Sequence, residues 1–260
     1  MEFSTKVTIA DPKVKITPQD NMLFVGSCFA DNIGKRFVDN GFKAMVNPFG
    51  VMYNPVSVKH TLEKLMKDDN GRRFDWIFIT LGTNHVYREI ATGEIVDNCQ
   101  KRPQKLFNEE ILSVEECTKA LEECIELSNG SNIVFTVSPI RYKKYGYHES
   151  QLSKATLMLA VKNVETRTYF PAYEIVLDEL RDYRFYASDM IHPSEQAVDY
   201  IFERFRETFF TDLAKTFYAE YQPIKQALNH KPFNPESEEY KQFKENTLRK
   251  LAEFKSKWNM

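Results

Sequence analysis

The chain has 260 residues, a formal net charge of −2 and 42% hydrophobic residues, enough apolar material for one sizeable core and a modest appendage. Its 35 Lys and Arg are balanced by 37 Asp and Glu, with no basic block interleaved with aromatics, which argues against a nucleic-acid surface. No run approaches membrane-spanning length, and Lys6, Asp11, Lys13, Lys15 and Asp20 interrupt the segment where a signal peptide would be apolar, so cytoplasmic residence is expected.

Cys28, Cys99, Cys117 and Cys124 form no C-x-x-C pair. Cys117 and Cys124 share a helix face, but their Cα atoms would lie about 10 Å apart, too far to bridge. The histidines are scattered without a ligand spacing such as H-E-x-x-H, so neither metal nor cofactor is expected. The 20 Phe and 13 Tyr suit a core or the lining of an apolar cleft.

In chain order, the apolar run Met22-Leu23-Phe24-Val25 predicts a strand over 22–26, followed by a helix near 28–40. Gly26-Ser27-Cys28-Phe29-Ala30 places Ser27 at the junction. A hydroxyl there is held clear of the sheet, and free backbone N–H groups can stabilise an oxyanion. Serine is also a favoured N-cap, and taken alone Ser27 reads that way. Cys28 offers a second chemistry, since a thiolate near a helix N-terminus has a lowered pKa. Its side chain points about 100° away from that of Ser27, and it is read as packing.

Lys43-Ala44-Met45-Val46 predicts a second strand, ended by the turn Asn47-Pro48-Phe49-Gly50, with a helix near 55–67. Trp76 to Leu81 is almost wholly apolar and predicts a strand over 75–81, buried on both faces of a parallel sheet. Gly82-Thr83-Asn84 follows at the edge where ligands bind in open α/β sheets. Asn84 there can offer an amide or serve only as a turn residue, and Gly82 permits close backbone approach. The polar segment Arg88 to Asn108 is read as an insertion, either a hairpin around Thr92-Gly93 or a wall of the substrate site.

A helix near 114–128, a strand over 132–138 and a helix near 150–164 continue the alternation. Between the last two, Arg141-Tyr142-Lys143-Lys144-Tyr145-Gly146-Tyr147-His148 is either a solvated loop or a site element. In the second reading Arg141 or Lys143 binds a carboxylate or phosphate and the tyrosines stack on a sugar. His148 is a rival base that lacks an oriented acid. Ser188-Asp189-Met190-Ile191-His192-Pro193-Ser194 supplies that acid: Asp189 lies one turn from His192 and can orient it, or can cap a helix running from about Pro193 to Phe210.

The alternation predicts a three-layer α/β/α sandwich with a parallel, flavodoxin-like sheet, over residues 1–210. Beyond it, Leu213, Phe217, Tyr221, Ile224 and Leu228, and then Tyr240, Phe243, Thr247, Leu251, Phe254 and Trp258, recur at helical spacing. Residues 211–260 are therefore expected to form a helical hairpin broken at Lys231-Pro232-Phe233-Asn234-Pro235. Its seam is expected against its own domain, with a homodimer contact or a cover over the cleft as alternatives.

The Gly26–Ala30 motif, with Asn47-Pro48-Phe49-Gly50, Tyr53-Asn54-Pro55, Thr136-Val137-Ser138-Pro139 and Asp189–Ser194, resembles the GSCFA family, which is similar to SGNH (GDSL-type) esterases and acyltransferases. The resemblance implies Ser27 as nucleophile, His192 as base and Asp189 as its orienting acid. It matches Gly82 and Asn84 to the Gly-x-Asn block, giving an oxyanion hole of Ser27, Asn84 and Gly50. For Gly50, a glycine needed only by its turn is an equal alternative. Asn47, Gly82, Arg141, Tyr142 and His148 are placed on the substrate side.

Cys28 and His85 depart from the GDSL pattern, so the substrate preference of those esterases is not carried over. The expected function is a serine-dependent esterase or O-acyltransferase acting on a small acyl ester, such as an acetyl ester of a carbohydrate. The alternative is a non-catalytic glycan or small-ligand binding module. A nucleotide-binding role is disfavoured by the absence of G-x-G-x-x-G and G-x-x-x-x-G-K-[ST]. An α/β-hydrolase elbow is disfavoured because Val25-Gly26-Ser27-Cys28-Phe29 lacks the second glycine.

Overall fold

The computed structural model describes residues 4–67, 73–99, 102–165 and 168–260. Positions 100 and 101 of the expected insertion, and the first three of the expected 1–210 domain, lie outside the described residues.

Strand β1 (Met22–Gly26) leads into helix α1 (Cys28–Asp39), then come β2 (Ala44–Val46), α2 (Pro55–Lys67) and β3 (Trp76–Leu81). Three short strands follow, β4 (His85–Glu89), β5 (Ile95–Val96) and β6 (Phe107–Ile111). Next come α3 (Val114–Leu127), β7 (Asn132–Val137), α4 (Tyr147–Asn163) and β8 (Thr168–Tyr169). A single helical turn, α5 (Ala172–Glu174), runs into a π-helical stretch over Ile175–Leu180. The chain ends in α6 (Glu195–Phe209), α7 (Asp212–Leu228) and α8 (Glu238–Lys257).

The main sheet is parallel throughout, in the order β2-β1-β3-β7-β8. Numbered within the sheet this is the flavodoxin-like 2-1-3-4-5 order, whose crevice opens between the first and third strands. Side chains alternate along each strand between two cores. Met22, Phe24, Trp76, Phe78 and Val134 face α1, α6 and α7, whereas Leu23, Val25, Ile77, Ile79 and Phe135 face α2, α3 and α4. The first core is aromatic: Phe24 stacks on Phe78 with centroids 4.4 Å apart, and Phe37 meets Phe202 and Phe205 edge-on. Each such pair adds about 0.5–1.5 kcal/mol to what burial supplies.

The expected insertion is a three-stranded antiparallel sheet, β5-β4-β6, in which Gly93 at φ 72° turns β4 into β5. The hairpin around Thr92-Gly93 is present, and residues of the sheet also line a cavity. Helix α4 starts at Tyr147, three residues ahead of expectation, and α6 starts at Glu195. The α6 cap is Ser194, whose Oγ accepts the Ala197 N–H, so Asp189 is not the cap.

In the C-terminal hairpin, Phe217 of α7 packs on Phe42 at 4.8 Å and on Trp258 at 5.2 Å. Gln222 and Lys225 both donate to Asn40 Oδ1 at the end of α1. The apolar seam therefore lies against the α/β layers. No described helix is long and apolar enough to cross a membrane.

Candidate active site

The corner between β1 and α1 is closely constrained. Gly26 has φ 129°, and a Cβ there would lie 2.0 Å from Thr80 O, so no other residue fits. Ser27 is fully buried, at 0% exposure. Its Oγ caps α1 by accepting the Phe29 N–H at 3.3 Å, and its own N–H donates to Thr80 O at 3.0 Å. The N–H expected to hold an oxyanion is thus part of the sheet's hydrogen bonding.

Cys28, the first residue of α1, is half-buried, and its Sγ lies 3.6 Å from Tyr53 Oη. It packs against the aromatic core, as expected, but the thiol also meets Tyr53. Burial first, then the Cys28 thiol, raise the Tyr53 phenol well above its ordinary pKa. The Tyr53 carbonyl accepts the N–H groups of Gly82 and Thr83 at 2.8 and 2.9 Å, tying the β2–α2 connection to the end of β3.

Three expected site residues instead bind the scaffold. Asn47 accepts the Gly26 N–H at 2.9 Å and donates to Asp31 Oδ1 at 2.6 Å, bracing the β1–α1 corner. Gly50 is exposed, and its N–H donates to Asn47 O at 2.8 Å, so the turn takes the donor assigned to an oxyanion. Asn84 is 2% exposed and donates to Leu112 O at 2.7 Å, which aims its amide at the start of α3. Its Oδ1 is buried without a partner among the described residues.

At Gly82 a Cβ would lie 2.3 Å from Tyr142 Oη and 3.0 Å from Tyr53 O, so the glycine makes room for the phenol rather than for substrate. Tyr142 Oη is itself buried with no hydrogen-bond partner among the described residues. Burial, then Tyr53, Cys28 and Tyr145 as ionisable neighbours, hold its pKa well above the phenol range. Behind it Lys154, at 0% exposure, donates to Gly82 O at 2.6 Å with its Nζ 4.8 Å from the Tyr142 ring. Burial pulls the pKa of this amine down to about 7.

The Asp189–His192 loop completes the edge. Met190 at φ 58° turns the chain so that Asp189 Oδ1 accepts the N–H groups of Ile191 and His192 at 2.8 and 3.0 Å. Oδ2 lies 2.6 Å from His192 Nδ1. These bonds, the His192 N–H foremost, lower the Asp189 pKa to about 2. A carboxylate on Nδ1 selects the tautomer with Nε2 free to accept a proton.

The His192 side chain is 40% exposed. Arg141 holds this loop by its N–H to Ile191 O at 3.0 Å and Nη1 to Met190 O at 2.9 Å, with its guanidinium over Tyr147. It is thereby a brace for the loop. His148 is exposed on the first turn of α4. Ser27 and His192 share no hydrogen bond among the described residues.

Beside Gly82 opens a cavity of about 390 Å³ lined by Tyr53, Thr83, His85, Tyr87, Tyr142 and Tyr145, among others. His85 stacks on Tyr145 at 3.7 Å and meets Glu109 Oε1 at 3.1 Å, and Lys144 binds Glu109 Oε2 at 3.2 Å. The insertion sheet thus forms one wall and the 141–147 loop the other. Among the described residues, no group of three or more His, Cys, Asp or Glu could hold a metal ion.

Sequence reasoning missed Tyr53, the placement of His85 and Lys154. The last carried a signal: Ser150, Ser153, Lys154, Leu157, Ala160 and Val161 form the buried stripe of α4, and a lysine on such a stripe is out of place.

No curated protein matches the sequence. Among solved structures the chain is similar to the acetylxylan esterase Axe2 from Geobacillus stearothermophilus, at 12% identity over 77% of this chain and 99% of that one, with a TM-score of 0.45. It is also similar to a lipolytic G-D-S-L family protein from Veillonella parvula, at 14% identity over 73% and 97% of the two chains, TM-score 0.46. A carbohydrate esterase family 3 protein from Talaromyces cellulolyticus is 7% identical over 76% and 99%, TM-score 0.40. The model of the GSCFA domain protein C-terminal domain matches residues 221–260. The GSCFA family model matches residues 21–74 and 69–205, most of the α/β layers and every element of the site described above, and the chain belongs to that family.

Proposed function

We propose that the protein is an acyl-ester hydrolase or O-acyltransferase of SGNH type, acting on a small acyl ester such as an acetyl group on a carbohydrate. The observation that carries this reading is the Asp189–His192 pair, with the carboxylate 2.6 Å from Nδ1 and Nε2 left as a base. The nucleophile comes from the Ser27–Cys28 corner, at the N-terminus of α1 beside the sheet's switch point. His192 takes its proton, the nucleophile adds to the ester carbonyl, and collapse expels the alcohol, protonated by His192. Water or a second hydroxyl then removes the acyl group by the same steps in reverse. The tyrosines of the adjoining cavity suit the apolar face of a sugar or an acyl chain.

One observation favours the other reading, a non-catalytic binding module: the Ser27 hydroxyl is buried and engaged as a helix cap. Release of acetate from a panel of acetylated sugars and 4-nitrophenyl acetate separates the two. The hydrolase reading predicts turnover by wild type and a loss of about 10³–10⁴-fold in His192→Ala. Absence of wild-type turnover on every ester, with retained glycan binding, would establish the module.

A further inference from the structure

The corner offers two nucleophilic atoms, and they sit in opposite situations. For Ser27 to attack, its Oγ must give up the Phe29 N–H and leave a site with no exposed surface, while its N–H stays committed to Thr80 O. The Gly26 backbone, pressed on Thr80, leaves that turn no room to rearrange. Cys28 is only partly buried, stands at the first position of a twelve-residue helix, and has an N–H with no acceptor among the described residues. A thiolate at a helix N-terminus is stabilised by the free N–H groups and the helix dipole.

A second observation points to a ligand at the same place. The Tyr142 hydroxyl is buried, has no partner among the described residues, and counts the Cys28 thiol among its ionisable neighbours. A buried hydroxyl without a partner keeps a donor available to an acceptor that enters the site. Tyr53, which contacts the Cys28 thiol, and Tyr142 both line the cavity, so the thiol stands one side chain away from it. The residue before Tyr142, Arg141, holds the loop that carries His192.

We propose that Cys28, not Ser27, is the nucleophile, and that Tyr142 Oη with the Cys28 N–H forms the oxyanion hole. This rests on the acyl-ester reading above and names the atom that performs it. His192 Nε2 takes the thiol proton, a C–S bond forms at the ester carbonyl, and the oxygen, now negative, accepts from Tyr142 and the Cys28 N–H. The C–O bond breaks, and the alkoxide leaves with the proton held by His192. In the second half His192 takes a proton from water or an acceptor hydroxyl, a C–O bond forms, the C–S bond breaks, and the proton returns to the thiolate. Ser27 remains the helix cap.

The test uses the full chain with 4-nitrophenyl acetate, acid-quenched during turnover and mapped by peptide mass spectrometry, in wild type and in Ser27→Ala, Cys28→Ala, Cys28→Ser and His192→Ala. The expected result is an acetyl thioester on Cys28 and a loss of turnover of at least about 10³-fold in Cys28→Ala. Cys28→Ser, with a less acidic hydroxyl in place of the thiol, is expected to form the adduct far more slowly. Ser27→Ala is expected to keep the adduct and the turnover while its thermal midpoint falls by about 2–4 °C for loss of a cap. An adduct on Ser27, with turnover lost in Ser27→Ala and kept in Cys28→Ala, would overturn the proposal and leave the acyl-ester reading standing. Equally fast acetylation of Cys28 in His192→Ala would show an incidental thiol and overturn it as well. No turnover and no adduct at either residue in wild type would overturn both.

Discussion

The two halves of the site are built by opposite means. At the β1–β3 edge almost every polar group is committed to the scaffold: Ser27 N–H to Thr80, Gly82 and Thr83 N–H to Tyr53, and Lys154 to Gly82. Across from it the Asp189–His192 pair stands half-exposed on a loop, held by its own turn and by Arg141. The first half is rigid because it is made of sheet and close backbone packing. The second depends on a few local hydrogen bonds. Damage to the scaffold groups of the first half should therefore appear as lost folding, and damage to the exposed pair of the second as lost chemistry.

The largest effect is expected at Gly26→Ala. A Cβ 2.0 Å from a backbone oxygen, at φ 129°, cannot be relieved by a side-chain movement. Denaturant unfolding of any soluble protein recovered should show a loss of more than about 3 kcal/mol. A variant of near wild-type stability would show that the edge is not rigid.

Lys154→Met probes the same half through pH. In the folded chain the amine has a pKa of about 7, against an ordinary 10.5. Below about pH 7 both folded and unfolded chains hold the proton, and the full penalty of burying the charge is present. As pH rises from 7 towards 10.5 only the unfolded chain keeps the proton, so the penalty fades and stability increases. Wild type should thus gain stability from pH 7 to 9 relative to Lys154→Met, measured as the difference between their urea midpoints. Parallel midpoints would mean that the amine is charged in the fold throughout that range.

Asp189→Asn tests the second half and should barely register in stability, with a thermal midpoint within about 2 °C of wild type, because both residues of the pair are open to water. Its turnover should nevertheless fall by about 10⁴-fold, since the neutral amide no longer selects the His192 tautomer with a free Nε2. A variant that unfolds early while turning over normally would reverse the comparison.

The same division decided what could be read in advance. Strands β1, β3 and β7 were legible because burial on both faces makes each a nearly continuous apolar run. The Asp189–His192 pairing was legible because it is local, a matter of one turn. Strand β8, two residues long, and the π-helical stretch Ile175–Leu180 carry no period to detect. That the expected oxyanion donors have partners of their own was not legible for a different reason. Whether the N–H of Ser27 or Gly50, or the amide of Asn84, is free depends on Thr80 O, Asn47 O and Leu112 O, and two of those three lie far away in the chain. From its angle to Ser27 alone Cys28 reads as packing, because no local pattern reports that Tyr53, 25 residues on, meets the thiol.

The account turns on acyl transfer driven by His192. Rapid-quench assay of 4-nitrophenyl acetate tests that most directly, following alcohol release and intact protein mass together in wild type and His192→Ala. The account predicts a burst of alcohol matched by one acetyl group on the wild-type chain, then steady release, with the burst lost in His192→Ala. Equal, burst-free rates in the two proteins, and no acetyl group on either, would contradict it.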